Sequence, residues 1–536
     1  MVVTNKLKEN KLFASLFLLT IIFSSLFYFV QFINFGWDTV AYYAIGKYLT
    51  FEELNFWDIK YYYPPGLSII YIFTGVYLLN SFILFKILIL IATILNPLII
   101  FLIIRRINEK IAYISWFGII FSFSNLRFSY DNLPHYFSLF FLISSIYFLT
   151  NKKILISFKY QFLFSFFLLF SIACRGTALY TIPFFFAYLY FIKKNENTFS
   201  FKVLIKFIFN FIIVYIILVG TFSILRNASM DNFNNNKFFF GIAKNHGVRM
   251  LIHSSYHGLS QYLGNPNKNI IYKPENGKHS ELYFKKFRNY LNNVFEYKEH
   301  PLKNKFNTSE EAYNDFIYNP THDKSWHIAW WAPGNFTQDL KEQDAMLKNI
   351  YLEAISNNKI GYLRYFLHNL KTFFIGPATL TRPGNEYCDG EKNYSKCFYK
   401  HSTNFYSISD VNTELSKSWI KVTNLDLYNK QKIESDKIRN SKIRTEINKF
   451  YYKVLNLTAH QRYIFTLSAI LGLIILFREK KTFYILLLFF SINLTLGILT
   501  SLIYPANDRY GFITNYFGII YISFFIYKIS KFLKIT

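Results

Sequence analysis

The sequence predicts a polytopic α-helical membrane protein, and two observations lead to that fold class. Of the 536 residues, 52% are hydrophobic and only 17% are charged, and the hydrophobic residues occur in long blocks. Short clusters of Lys and Arg separate these blocks, as in proteins whose helices are oriented by basic cytoplasmic loops. The composition excludes a disordered chain, a collagen, a coiled coil and a small disulfide-stapled fold.

The net charge of +27 is of the size found in nucleic-acid-binding proteins, but its distribution argues against that function. Most basic residues lie in short segments between apolar blocks, where membrane proteins place them. We therefore expect membrane lipids around the chain and no nucleic acid as a partner.

The first apolar block, residues 12–33, follows a basic stretch at the N-terminus. Its 22 residues span ~33 Å at ~1.5 Å per residue, enough for a hydrocarbon core of ~30 Å. The block is too long for the apolar region of a signal peptide, and no small-residue cleavage site follows it. We predict a retained membrane helix.

Nine further apolar blocks bring the predicted number of spans to ten. They are residues 82–104, 112–126, 133–150, 158–174, 177–192, 204–225, 463–477, 483–504 and 511–527. With this count, every strongly basic short loop falls on the cytoplasmic side together with both termini. The apolar stretch 66–79 reaches only ~21 Å, so we expect a helix in the outer membrane interface there.

This topology divides the chain into three parts. Residues 1–225 form a membrane module with an outer loop at 34–81, and residues 463–536 form the last membrane helices. Residues 226–462 are predicted to be an extracytoplasmic domain of mixed, helix-containing fold. Within it, apolar residues recur at helical spacing from Asp339 to Phe374, and the end of that stretch is expected to rest on the membrane surface.

Two carboxylates lie in outer loops beside membrane helices. Asp38 follows the first span within aromatic residues, and Asp131 lies between the third and fourth spans. A carboxylate that is partly desolvated by aromatic rings can act as a general base. The alternative for both residues is an ordinary helix cap, because Asp is a favoured N-cap.

Arginines on the same predicted side form a second group of candidates. Arg175 lies between the fifth and sixth spans, Arg509 and Tyr510 precede the tenth, and Arg127 ends the third. The positive-inside bias does not explain arginines on the outer side, and guanidinium groups bind phosphate with paired donors. The alternatives are interface residues that snorkel or local ion pairs.

Tyr63 and Pro64 belong to an unusual Tyr-Pro-Pro stretch that ends at Gly66. Consecutive prolines restrict the backbone, which suits either a rigid rim of a lipid-facing groove or simply the start of a helix. Cys388 and Cys397 lie nine residues apart in a polar segment, which favours a disulfide if that segment is extracytoplasmic. We find no metal-binding or nucleotide-binding motif and expect neither a metal nor a cofactor.

The order of these features resembles the GT-C membrane glycosyltransferases, which include protein O-mannosyltransferases and lipid A aminoarabinose transferases. The resemblance rests on Asp38 after the first span, Tyr63-Pro64-Pro65, Asp131, Arg175 before a proline-containing span, and Arg509-Tyr510 before a late span. A large outer segment after the seventh span also matches. The sequence departs from the family pattern at Gly66.

The resemblance implies a single-displacement transfer of a sugar from a polyprenyl-phosphate donor to a lipid, glycan or protein acceptor. Asp38 would deprotonate the acceptor, and Asp131 would orient the acceptor or the sugar. Arg175 and Arg509 would stabilise the leaving phosphate, with Tyr510, Tyr63 and Pro64 in the binding site. The expected location is the bacterial inner membrane, with catalysis on its outer face.

Three other functions remain open from the sequence. A transporter or flippase predicts charged residues deep within the spans, and a receptor-like protein predicts that Asp38, Asp131 and Arg509 are independently replaceable. A polysaccharide polymerase or glycan ligase would use a lipid-diphosphate donor.

Overall fold

The computed structural model describes most of the chain, and every regular element in the described residues is a helix. The described residues are 2–33, 37–50, 63–126, 130, 133–195, 201–229, 240–241, 246–256, 271–296, 301–319, 324–325, 327–337, 339–375, 425–459, 462–503 and 512–533. They form two compact units. The larger unit takes residues within 1–244, 374–496 and 508–536, and the smaller takes those within 245–373 and 497–507.

The α-helices are numbered in chain order. They are α1 Val2–Phe29, α2 Trp37–Leu49, α3 Gly66–Phe73, α4 Val76–Leu79, α5 Ile83–Arg105, α6 Glu109–Ile120, α7 Phe123–Leu126, α8 Leu133–Leu149, α9 Phe158–Cys174, α10 Ile182–Asn195, α11 Phe201–Ser229, α12 His246–Ser254, α13 Lys278–Glu296, α14 Ser309–Tyr318, α15 Ala332–Phe336, α16 Leu340–Asn357, α17 Lys359–Ile375, α18 Leu425–Asn440, α19 Lys442–Ala459, α20 Arg462–Leu476, α21 Lys480–Ile503 and α22 Phe512–Phe532.

Helical structure is present at each of the ten predicted segments, and most bounds agree within a few residues. The closest agreement is α9, predicted at 158–174 and found at Phe158–Cys174. The third predicted segment is divided, because α6 ends at Ile120 and the short α7 follows. The sixth begins with a 3-10 turn, Gly176–Thr181, before α10.

Four of these helices are long and apolar enough to cross a membrane, which makes the chain a helical membrane protein. Their spanning segments are Asn10–Phe29, Ile83–Arg105, Leu204–Ala228 and Lys480–Leu502. Further apolar helices of 10–17 residues occupy Leu133–Leu149, Phe158–Cys174, Gly176–Phe191 and Arg462–Leu476.

The apolar stretch 66–79 forms two short helices rather than one. It breaks after Phe73, where Gly75 has a positive φ of 65° that favours glycine. Leu67 and Tyr71 of α3 are completely buried, whereas Leu78 of α4 is 91% exposed. The first half of the stretch is therefore part of the helix bundle.

The hairpin of α18 and α19 packs on α1, although it follows the smaller unit in the chain. Tyr451 donates to the carbonyl oxygen of Phe23 at 2.5 Å, and Arg444 lies 4.1 Å from the Phe29 ring. The buried Lys86 of α5 forms an ion pair with Glu434 of α18. The predicted segment 226–462 thus contributes helices to both units.

We expect Glu434→Gln to lower the thermal stability of the larger unit, because it removes the charge that compensates the buried Lys86 ammonium. A hydrogen bond to a charged group contributes about 1.5–3 kcal/mol to the free energy of unfolding. Because Glu434 is partly exposed, we expect the loss of free energy to lie at the lower end of this range. Thermal unfolding of the detergent-solubilised chain measures it.

Glu446→Gln is the matched control, because Glu446 of α19 pairs with Lys449 on the exposed surface. It should leave the melting temperature unchanged. Equal melting temperatures for wild type and Glu434→Gln would contradict the role assigned to the buried pair.

The smaller unit is built around a buried arginine. Arg249 of α12 is 1% exposed. It donates to the Ala329 carbonyl oxygen at 3.0 Å and to Gln343 Oε1 at 2.5 Å, and its Nε lies 3.7 Å from Asp344 Oδ1. A permanently charged guanidinium is stable in a protein interior only with such partners. Arg249 therefore links α12 to α16.

The helical stretch predicted from Asp339 to Phe374 is confirmed as α16 and α17, separated at Asn358. Leu347, Ile350 and Ala354 of α16 are buried, and their helical spacing gives this helix an apolar face. No strand occurs among the described residues of this unit, so the mixed composition predicted for it is not found there.

Glu353 of α16 caps the N-terminus of α13. Its carboxylate accepts from the backbone nitrogen of His279 at 3.0 Å and from that of Ser280 at 2.7 Å. Burial raises the pKa of Glu353, but the hydrogen bonds from Ser280 and His279 outweigh it and lower that pKa. The ionised carboxylate therefore satisfies two amide groups that a helix N-terminus leaves unpaired.

Candidate functional site

The short helix α3 connects the segments that carry the predicted site residues. It packs against α2, α8 and α9 within the larger unit. Helix α2 includes Asp38, α8 begins two residues after Asp131, and α9 ends one residue before Arg175. Segments that are far apart in the sequence thus meet at α3.

Gly66, the first residue of α3, lies against the backbone at the end of α9. A Cβ atom at Gly66 would be 2.5 Å from the Cys174 nitrogen and 2.6 Å from the Ala173 carbonyl carbon, closer than atoms can approach. Only glycine permits this contact. It brings the Tyr63-Pro64-Pro65 stretch to the end of α9, next to Arg175.

Polar contacts fasten α2 to α3 and α4. Ser68 Oγ donates to the Tyr42 carbonyl oxygen at 2.7 Å, and Tyr77 donates to the Tyr43 carbonyl oxygen at 3.0 Å. The rings of Tyr42 and Tyr63 meet edge to face, with centroids 5.5 Å apart. Tyr63 therefore packs against Tyr42 of α2, which lies one helical turn after Asp38.

Helices α8 and α9 are joined by a reciprocal serine pair. Ser138 Oγ donates to the Ser171 carbonyl oxygen at 3.0 Å, and Ser171 Oγ donates to the Ser138 carbonyl oxygen at 2.7 Å. Ser171 lies one turn before Arg175, and Ser138 lies in the second turn of α8. The pair fixes the end of α9 relative to the start of α8.

Arg175 is a buried cation at the junction of α9 and the following 3-10 turn. It is 9% exposed, and its extended backbone (φ −151°, ψ 113°) ends α9. The Ala178 nitrogen donates to its carbonyl oxygen at 3.0 Å, which anchors the next turn. A guanidinium in such a low-dielectric position interacts strongly with an anion.

Lys86 was not among the predicted site residues, although its position within the apolar run ILFKILIL marks it as unusual. Its ammonium group donates to the Gln31 carbonyl oxygen at 2.8 Å and lies 4.9 Å from the Tyr28 ring. The Ile33 nitrogen donates to Gln431 Oε1 at 3.1 Å. Contacts from α5 and α18 thus fix Gln31 and Ile33, which lie between α1 and Asp38 in the sequence.

Several predicted residues lie outside the part of the chain that the structure describes. Asp38 is the second residue of α2, but its side chain is among those not described. The others are Asp131, Arg509, Tyr510, Arg127, Cys388 and Cys397. Among the described residues, no group of three or more His, Cys, Asp or Glu side chains could hold a metal ion.

The aromatic stretch WHIAWW in the smaller unit is largely engaged in packing. The His327 ring lies 4.0 Å from the Trp331 ring and 5.1 Å from the Phe316 ring, measured between centroids. Trp330 contacts His253, which is itself paired with Ser325 Oγ at 2.5 Å. These contacts indicate that His253 and His327 serve in packing.

No protein-family model, curated protein or solved structure matches the chain.

We expect Gly66→Ala to destabilise the larger unit, because its methyl group would meet the backbone of Ala173 and Cys174. Forcing an extra carbon into a packed interior costs about 1–3 kcal/mol, and rigid backbone atoms leave little room to relax. The melting temperature of the purified chain measures the effect.

Gly176→Ala is the control, since a Cβ atom at Gly176 would meet nothing within 4 Å. Gly176 lies one residue after Arg175, and its substitution by alanine should leave the melting temperature nearly unchanged. A tolerated Gly66→Ala together with a disruptive Gly176→Ala would reverse the assigned roles of the two glycines.

Proposed function

We propose that the protein is a GT-C-type membrane glycosyltransferase. It moves a sugar from a polyprenyl-phosphate donor to a lipid, glycan or protein acceptor on the outer face of the membrane. The observation that supports this most is the packing around α3, where Gly66 joins the Tyr-Pro-Pro stretch to the end of α9. Two motifs of the proposed site, the Tyr-Pro-Pro stretch and the segment that leads to Arg175, therefore adjoin each other.

The proposal includes the topology predicted from the sequence. Ten helices cross the bacterial inner membrane, both termini are cytoplasmic, and residues 34–81 and 226–462 lie outside. In this arrangement the end of α9 and the starts of α3, α5 and α8 share the outer side. The buried cations Lys86 and Arg175 then both lie near outer ends of their helices.

In the proposed reaction, the Asp38 carboxylate removes the proton from the acceptor hydroxyl or amine. The acceptor atom attacks the anomeric carbon of the sugar as the bond from that carbon to the phosphate oxygen breaks. The electron pair of that bond stays on the phosphate oxygen. Polyprenyl phosphate leaves, and the proton remains on Asp38 until it passes to water.

Arg175 and Arg509 stabilise the negative charge that develops on the leaving phosphate. Burial supports this role for Arg175, because a fixed guanidinium in a low-dielectric site needs no reorganisation as the charge forms. Asp131 orients the acceptor or the sugar. Tyr63 and Pro64 line the site beside Arg175, and Tyr510 completes it next to Arg509.

We expect Asp38→Asn to reduce sugar transfer by about 10²–10⁴-fold without unfolding the protein, because an amide cannot accept the acceptor proton. The full-length protein is reconstituted with synthetic polyprenyl-phosphate hexoses and a membrane extract as the source of acceptors. Mass spectrometry then measures the released polyprenyl phosphate.

Asp426→Asn, an exposed substitution in α18, is the control and should retain full transfer. If the Asp38→Asn protein transferred sugar at the wild-type rate, Asp38 would not be the general base. If the wild-type protein released no polyprenyl phosphate from any donor tested, the glycosyltransferase proposal itself would fail, and a transport function would be favoured.

Arg175→Gln should lower the same rate by about 10²–10³-fold, as expected for loss of one group that stabilises transition-state charge. Arg175→Lys should recover part of the rate, because it keeps the charge but not the paired donors. Equal activity of Arg175→Gln and wild type, at unchanged melting temperature, would show that Arg175 is structural.

A further inference from the structure

Helix α17 presents an apolar stripe on its exposed face. Isoleucine and leucine side chains recur at helical spacing along it, and about half or more of each is exposed. They are Ile360 (69%), Leu363 (55%), Leu367 (52%) and Ile375 (47%). An isolated exposed leucine is ordinary, but three such residues over two turns, from Ile360 to Leu367, are typical of a surface that another apolar phase covers.

Cationic side chains share this exposed face, because at ~100° per residue Arg364 and Lys371 lie between the apolar positions and Lys359 lies at their edge. Lys359, Arg364 and Lys371 are exposed, as is His368, and the whole helix contains no Asp or Glu. Burial and the neighbouring Lys371 lower the pKa of His368, so the lasting positive charge comes from the two lysines and the arginine. The exposed face of α17 therefore combines apolar and positively charged side chains and contains no acidic one.

The opposite face of α17 is anchored in the smaller unit. Tyr365 is buried, and Tyr362 shares a hydrogen bond of 2.7 Å with Tyr351 of α16. Asn369 Nδ2 donates to the Ser501 carbonyl oxygen at 3.1 Å. These contacts fix the rotation of the helix, so the apolar stripe is held outward.

The last two residues of α17, Phe374 and Ile375, belong to the larger unit. Thr466 Oγ1 donates to the Phe374 carbonyl oxygen at 2.9 Å. Thr466 is the fifth residue of α20, which corresponds to the predicted span 463–477. The attachment places the C-terminal end of α17 at the predicted outer boundary of the membrane.

We propose that the exposed face of α17 lies on the outer membrane surface and binds anionic lipid headgroups. The apolar stripe would enter the boundary between headgroups and acyl chains, while Lys359, Arg364 and Lys371 contact the lipid phosphates. Helix faces that combine apolar and basic side chains bind anionic membranes in this way. The proposal requires a membrane protein but does not rest on the glycosyltransferase activity.

The depth of the stripe can be measured with nitroxide labels on single cysteines. Leu363→Cys and Leu367→Cys are made in the full chain with Cys388 and Cys397 replaced by Ser, since Cys174 is buried. Each protein is placed in nanodiscs of phosphatidylcholine and phosphatidylglycerol, one chain per disc. Collisions with oxygen and with a water-soluble nickel complex are then compared.

The control label is Leu282→Cys on α13, because Leu282 is also 52% exposed. Labels at 363 and 367 should favour oxygen over the nickel complex several-fold more than the label at 282. Nickel accessibility at 363 and 367 equal to that at 282 would overturn the proposal. Protection that appears only with two chains per disc would also overturn it, by indicating a second copy on this face.

The lipid charge is tested with discs of phosphatidylcholine alone and with the triple change Lys359→Gln, Arg364→Gln and Lys371→Gln. Protection should weaken in both cases. The matched control changes Lys273, Lys278 and Lys285 to Gln, three exposed lysines of the same unit, and should keep the protection. Equal protection in neutral and anionic discs, or an equal loss in the control, would overturn the recognition of anionic lipids.

Discussion

The close approach of two backbones, at Gly66 and at Ala173–Cys174, is the constraint on which the proposed site depends. Helix α3 can rest directly on the end of α9 only because residue 66 has no side chain. The same helix contacts α2 and α8, so its position determines how the segments around it meet. Gly66 therefore has a packing role in this chain.

Buried positive charge is a second organising feature. Lys86 would be costly inside an apolar bundle without a counter-charge, and Glu434 supplies one from a helix nearly 350 residues later in the chain. The hairpin of α18 and α19 consequently closes against α1 and the start of α5. This contact connects the C-terminal part of the chain to the residues that precede Asp38.

The buried arginines show how the same side-chain chemistry serves different purposes. Arg462 donates to Asn515 Oδ1 at 3.2 Å between α20 and α22, and Arg226 lies 4.4 Å from the Phe222 ring. Arg249 organises the smaller unit through carbonyl and amide oxygens. Part of the high net charge is thus explained by architecture. Arg175 differs because it lies beside the Tyr-Pro-Pro stretch.

The sequence by itself determined where the helices lie. Backbone polar groups within a membrane must be hydrogen-bonded inside the protein, and a helix forms these bonds locally. The length of the apolar blocks alone therefore predicted α9 and α5 almost to the residue. Composition and motif order also identified Tyr63, Pro64 and Arg175 as site candidates. The tertiary structure alone decided that Gly66 touches α9 and that Lys86 pairs with Glu434. Such contacts join residues separated by about a hundred positions or more, and neither hydrophobic periodicity nor local charge carries information about them.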